Sequence, residues 1–228
     1  MSTRIDIQLI EAQRERATIA MERAQCKLDR LPATTPKVGS TLLAKAHKTP
    51  RMTKRLRLIH QAVDAFVADP AAVSACRRGC SHCCRLPSIP ITSAEARLLA
   101  QRTGRTVQEP TYRMAIRDLI AGQEQVFAAD GEARYAGTAC PFLVNDACSV
   151  YEDRPTVCRT HMNMDDDPLL CEVVPRHPAN VPYLNTIPLQ AQVMMLQQDE
   201  CLGDIRGFFH PSPDATTRND TGTVSPFS

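Results

Sequence analysis

The sequence predicts a mainly α fold with a short β-hairpin, an irregular cysteine-rich domain carrying an N-terminal helical arm. Three observations lead there. Apolar residues recur at helical spacing in several stretches, first at Ile10, Ala17, Met21, Ala24, Leu28 and Leu31. Ten cysteines stand in 228 residues, seven of them in two tight groups. Aromatic residues make up only 4% and Trp is absent, so the core must rest on Leu, Ile, Val, Met and Ala.

Residues 4–31 read as one long helix stopped by Pro32. Its apolar stripe is narrow and rich in small residues, suited to packing on the domain, on a second copy or on a protein partner. Residues 32–50 hold three prolines and read as a linker. A second helix is expected over 51–68, with Leu56, Ile59, Val63 and Phe66 or Val67 on one face. Its start is basic, through Lys45, His47, Lys48, Arg51, Lys54, Arg55 and Arg57. No aromatic residues interleave these cations for base stacking, so nucleic acid is not the expected partner.

In Ile91–Leu99, Thr92 is placed to cap a helix, with Glu95 three residues on reaching back to the cap amide. A helix is expected over 111–127 with Ile116, Leu119, Ile120 and Phe127 inward, and Gly131 and Gly137 then bracket a loop. Asn145-Asp146-Ala147 reads as a tight turn joining extended pieces at Phe142–Val144 and Cys148–Tyr151. Arg154-Pro155 opens a turn or short helix carrying Cys158. A last helix runs from Leu189 to about Cys201, and the polar tail 211–228 is expected to be disordered. The chain thus divides into a helix and linker (1–50), a cysteine-cluster domain (51–210) and a tail (211–228).

The net charge of +2 conceals an asymmetry: residues 1–70 carry +6, 71–139 carry +3 and 140–228 carry −7. The N-terminus has charges throughout and lacks the apolar segment of a secretion signal, and no apolar run approaches the ~20 residues needed to cross a bilayer. A cytoplasmic setting is therefore expected, where clustered cysteines hold metal more often than they pair.

The first group is Cys76-Arg-Arg-Gly-Cys80-Ser-His-Cys83-Cys84. On a helix Cys76, Cys80 and Cys84 would share a face; in a turn, the two-residue gap between Cys80 and Cys83 lets both sulfurs swing onto one ion. Gly79 suits a helix end, and Arg77 and Arg78 can offset thiolate charge. The second group comprises Cys140, Cys148 and Cys158. Four thiolates satisfy tetrahedral zinc or a 4Fe-4S cluster, so Cys76, Cys80, Cys83, Cys84, Cys140, Cys148 and Cys158 form the ligand pool. His82 and His161 are placed to support the site or replace a thiolate, and Cys171 is a further ligand to weigh. Arg154 is expected in a salt bridge with Glu152 or Asp153, and Tyr151 and Phe142 beside the site. Cys26 and Cys201 read as small buried apolar residues. A redox C-x-x-C at Cys80–Cys83, structural disulfides and a nucleophilic cysteine are the rival readings of these thiols.

Cys76-x3-Cys80-x2-Cys83-Cys84, followed by Cys140-Pro-Phe-Leu and Cys148-Ser-Val-Tyr-Glu-Asp-Arg-Pro-Thr-Val-Cys158-Arg159, resembles the YkgJ-type cysteine-cluster family, described as a zinc- or iron-chelating domain. The resemblance spans roughly residues 70–162 and implies chelation by these seven cysteines. A related motif in a bacterial flagellin lysine methylase extends the implication to iron–sulfur chemistry and protein modification. Where that family runs from Cys-Arg into an aromatic-Pro stretch, this chain has Thr160-His161-Met162-Asn163-Met164.

Three function classes follow: a metal-chelating or delivery protein, an iron–sulfur protein in redox or modification chemistry, and a zinc-stapled module binding a protein through its N-terminal helix. No nucleotide-binding glycine loop, zinc-protease His pair or Ser-centred triad motif is present, so no catalytic residue is assigned.

Overall fold

The computed structural model describes residues 4–32, 36–122, 135, 137–174 and 177–209. Helix α1 (Arg4–Asp29) forms as its periodicity predicts. Its small-residue face is buried at Ala20 and Ala24 and packs with Val67, Met162 and Met164, so the arm lies against the domain. Arg16, Arg23 and Lys27 face the run Asp165-Asp166-Asp167, with Lys27 Nζ 2.9 Å from Asp166.

The expected linker contains a helix, α2 (Lys37–His47), packed closely along α3 (Met52–Val73). The flanking prolines hid it: they bound the segment, while Val38, Leu42, Leu43 and Ala46 supply helical spacing between them. Helix α3 is longer than expected and buries Leu56, Ile59, Val63 and Val67, the predicted face.

Strand β1 (Pro90–Thr92) leads directly into α4 (Ser93–Thr103), where the predicted capping box forms. The expected helix over 111–127 is not continuous. It begins as strand β2 (Arg113–Ala115) and continues as the short helix α5 (Ile116–Ile120), ended by Gly122 at φ +81°. Ile116 is buried, whereas Ile120 is exposed; Phe127 and Gly131 lie outside the described residues. Pairing across the sheet overrode local propensity here.

The hairpin is shorter than expected: β3 (Leu143–Val144) and β4 (Ala147–Cys148) flank Asn145 and Asp146. Both turn residues have positive φ, 49° and 55°, the twist-matched two-residue turn that Asn and Asp tolerate best. Helix α6 (Thr156–Thr160) carries Cys158. The last long helix, α7 (Ile187–Met195), stops before Cys201, which instead opens strand β5 (Cys201–Asp204), followed by α8 (Ile205–Phe209). Strand β5 is central in an antiparallel sheet ordered β1-β5-β2, with Ile91 opposite Gly203 and Met114 opposite Leu202. The tail 211–228 lies outside the described residues. Among those described, no helix is long and apolar enough to cross a membrane.

Candidate metal centre

The first cysteine group follows the end of α3. Ser74 leaves the helix in an extended conformation, its hydroxyl accepts from Cys76 N at 3.2 Å, and Ala75 N donates to Asn163 O at 2.9 Å. Gly79, at φ +93°, turns the chain, and Cys83 and Cys84 sit on a single 3-10 turn, His82–Arg85. The turn reading of this group therefore holds and the shared helical face does not.

The second group is brought to the first by backbone bonds. Cys140 N donates to Cys84 O at 2.7 Å, and the hairpin carries the chain back to Cys148. Cys158 arrives on α6, which is fastened at both ends. The buried Arg159 forks onto Asp64 of α3 at 2.7 and 2.6 Å, while Thr156 N donates to the buried Glu95 of α4 at 2.7 Å.

These connections bring all seven predicted cysteines to the wall of one cavity of about 110 Å³. Phe142, Val150 and Ile205 supply its apolar wall, and Tyr151 lies beside it as expected. Arg77 and Arg154 also face it. Arg154 does not form the expected salt bridge: Glu152 pairs with Arg78 and Asp153 with Arg102. Its guanidinium instead stacks 3.7 Å from the Tyr151 ring centroid, and Nε donates to Tyr151 O.

A second cavity adjoins the first. Cys76, Cys80 and Cys83 face it together with Cys171, His82, His161 and Tyr183. Cys171 thus joins the thiol pool from a third chain segment. The His161 ring lies 4.0 Å from that of Tyr183, and burial holds its imidazole below the ordinary histidine range. Cys26 is exposed on α1, contrary to its buried reading, and Cys201 is half-buried in β5; neither borders these cavities.

All ten cysteines are free thiols. Burial pushes the Cys76, Cys148 and Cys158 thiols up, most strongly at Cys158. A hydrogen bond with Cys84 together with burial raises Cys83, and one with Cys140 pushes Cys84 up to about 12. Cys171 is also pushed up to about 12, by burial and then by Cys76 and Cys80. Sulfurs this close cannot all ionise without a counter-charge. Among the described residues, no three His, Cys, Asp or Glu donors are gathered tightly enough to hold an ion as they stand. The donor set nevertheless fits zinc or iron in kind: sulfur throughout, imidazole at the rim and no carboxylate on the main cavity's wall.

Arg206 carries no signal in the sequence but organises the flanks of both groups. Fully buried, it pairs with Asp204 at 2.6 Å and donates to Leu86 O and Pro87 O after the first group. The same guanidinium donates to Thr138 O, at 2.7 Å, before the second. Glu95 and Arg159 were likewise not legible as supports of the site, because their partners are distant in sequence.

Sulfur side chains from three separate segments around shared cavities define a cysteine-cluster domain. Residues 75–185, just under half of the chain, match the model of the CxxCxxCC family, "Putative zinc- or iron-chelating domain", the family that the cysteine spacing resembles. The match runs past the last predicted ligand, Cys158, and takes in Cys171. Neither the curated proteins nor the solved structures contain a match to this chain.

Proposed function

We propose that this protein holds an iron–sulfur centre in its thiol-lined cavity and uses it in redox or protein-modification chemistry in a reducing, cytoplasmic setting. The observation that carries this reading is the convergence of seven thiols on one cavity. A single tetrahedral zinc uses four donors. A 4Fe-4S cluster also takes four; seven, with Cys171 alongside, leave thiols over to surround it, and the sulfur-rich wall without carboxylates supports a cluster. Cys76, Cys80, Cys83, Cys84, Cys140, Cys148 and Cys158 would supply the ligands. Such a centre supplies one-electron transfer or a Lewis-acidic iron when bound.

The chain's own groups have separate tasks. Arg77 and Arg154 offset thiolate charge, while Phe142, Val150 and Ile205 limit water at the sulfurs. Because burial and mutual hydrogen bonds raise the Cys76, Cys83, Cys84, Cys148 and Cys158 thiols, loading them releases protons and draws the sulfurs together.

Metal and acid-labile sulfide content, with a visible spectrum, on protein purified without oxygen tests the reading. Iron, sulfide and brown colour are expected, with Cys80→Ser and Cys158→Ser each losing metal while Cys26→Ser keeps it. Colourless protein with stoichiometric zinc would replace the proposal with a zinc-stapled interaction module. Unchanged metal content in both site variants would sink the ligand assignment.

A further inference from the structure

The second charged feature of the molecule lies away from the thiols. Between Asp29 and Asp64 the chain has no acidic residue but eight Lys and Arg. Helices α2 and α3, joined by a short turn, bring Lys45, Lys48, Arg51, Lys54 and Arg57 to one end of their hairpin, all exposed. None of these five has a carboxylate partner among the described residues. Several exposed arginines elsewhere do, Arg78 with Glu152, Arg97 with Glu200 and Arg117 with Asp199, whereas here five neighbouring cations stand together without one. Lys45 and Lys48 suit the C-terminal end of α2, but the cations that open α3 are costly where they stand. The first turn of the 22-residue α3 has no acid and no side-chain cap, so its cations sit at the positive end of the helix dipole.

We infer that this α2–α3 patch docks an acidic polypeptide segment, a run of Asp or Glu on a protein partner. The molecule already contains that mode of recognition. On α1, Arg16, Arg23 and Lys27 repeat along one face and grip three successive aspartates, Asp165 to Asp167. The patch repeats the chemistry with cations three residues apart and no internal strand of acids to fill it. It offers no Phe, Tyr or Trp on which bases would stack, only the ring of His47. The exposed apolar residue of α2, Val38, lies at the other end of that helix, so the patch has no anchor for a lipid surface. The inference is independent of which metal the cavity holds.

Fluorescence anisotropy on the full metal-loaded chain tests it, with a labelled ten-residue peptide of alternating Glu and Ser against a labelled 20-base-pair DNA duplex. Peptide binding is expected, weakening at least about tenfold in the Lys48→Ala/Lys54→Ala/Arg57→Ala variant and on raising salt from 50 to 300 mM. Unchanged circular dichroism and metal content would show that the variant is folded. Should it fold poorly, Lys54→Glu alone is expected to weaken binding in the same direction. Absence of peptide binding, or equal binding by the folded variants, would overturn the inference. Duplex binding as tight as peptide binding would also overturn it, marking the patch as a nucleic-acid surface.

Discussion

Glu95 shows how much of the site depends on a residue that never meets the metal. Its carboxylate is fully buried between three elements: Oε2 accepts from Thr92 N at 2.9 Å, while Oε1 accepts from Thr156 N and lies 3.4 Å from His60 Nε2. Burial alone would push the carboxyl up, but His60 and the amides of Thr156 and Thr92 together outweigh it and hold it below the usual range. A depressed folded value means that Glu95 stabilises the protein above the ordinary glutamate pKa of about 4.3. That contribution is lost as pH falls through the folded value. Glu95→Gln should therefore cost about 1–3 kcal/mol at pH 7, because its amide cannot accept at both oxygen positions. Thermal melts across about pH 3–7 should show a flatter acid limb for the variant. An identical acid limb would remove Glu95 as the titrating support. Its role in capping was legible in Thr92-x-x-Glu95, but its grip on Thr156, and so on the helix of Cys158, was not. That contact joins residues 61 positions apart and leaves no local signal.

Between elements, α2 and α3 approach closely at Gly39. A Cβ there would fall 2.8 Å from Phe66 Cε2, so α2 meets α3 where only glycine fits without adjustment. Gly39→Ala improves helix propensity by about 1 kcal/mol, yet overpacking costs about 1–3 kcal/mol, so net destabilisation is expected. In a Phe66→Leu background the clash is relieved and the same change should become neutral or stabilising. Urea unfolding of the four proteins of that cycle measures the sign. A stabilising Gly39→Ala in the native background would show that the ring moves aside freely. This contact also explains what sequence reading could reach. Elements with long local periodicity, α1 and α3, were legible, as were the capping box and the Asn145-Asp146 turn. Helix α2 was masked by prolines that bound it rather than break it. The strands of three or four residues were not legible, since β1, β2 and β5 exist through pairings such as Ile91 with Gly203, and the stretch around Leu202 owes its strand state to neighbours on both sides. Cys171 was only weighed because no second cysteine stands near it; its companions Cys76 and Cys80 are brought to it by tertiary structure.

At the scale of the whole molecule the core is divided, and the cysteines are divided with it. One apolar cluster contains Cys84 and Cys140, with Cys83, Cys148 and Cys158 packed against it; another, around Val67, Met162 and Met164, includes Cys76 at its edge. The cluster formed by Ala46, Leu58, Ile59, Val63 and Val193, on α2, α3 and α7, has no cysteine. Metal binding, which can contribute folding free energy on the order of 10 kcal/mol at a structural thiolate site, should act unevenly on such a molecule. Removing metal leaves the thiols clustered without a common partner, while the α2–α3 pair keeps its own apolar contacts. Hydrogen exchange on metal-free and metal-loaded protein should therefore show the largest loss of protection over 76–92 and 140–171, with α2 and the middle of α3 least affected. Uniform loss would mean that the chain unfolds as one cooperative unit held by metal. No change at all would mean that packing, the Arg206 network and the Arg159–Asp64 fork hold the cavity open without it.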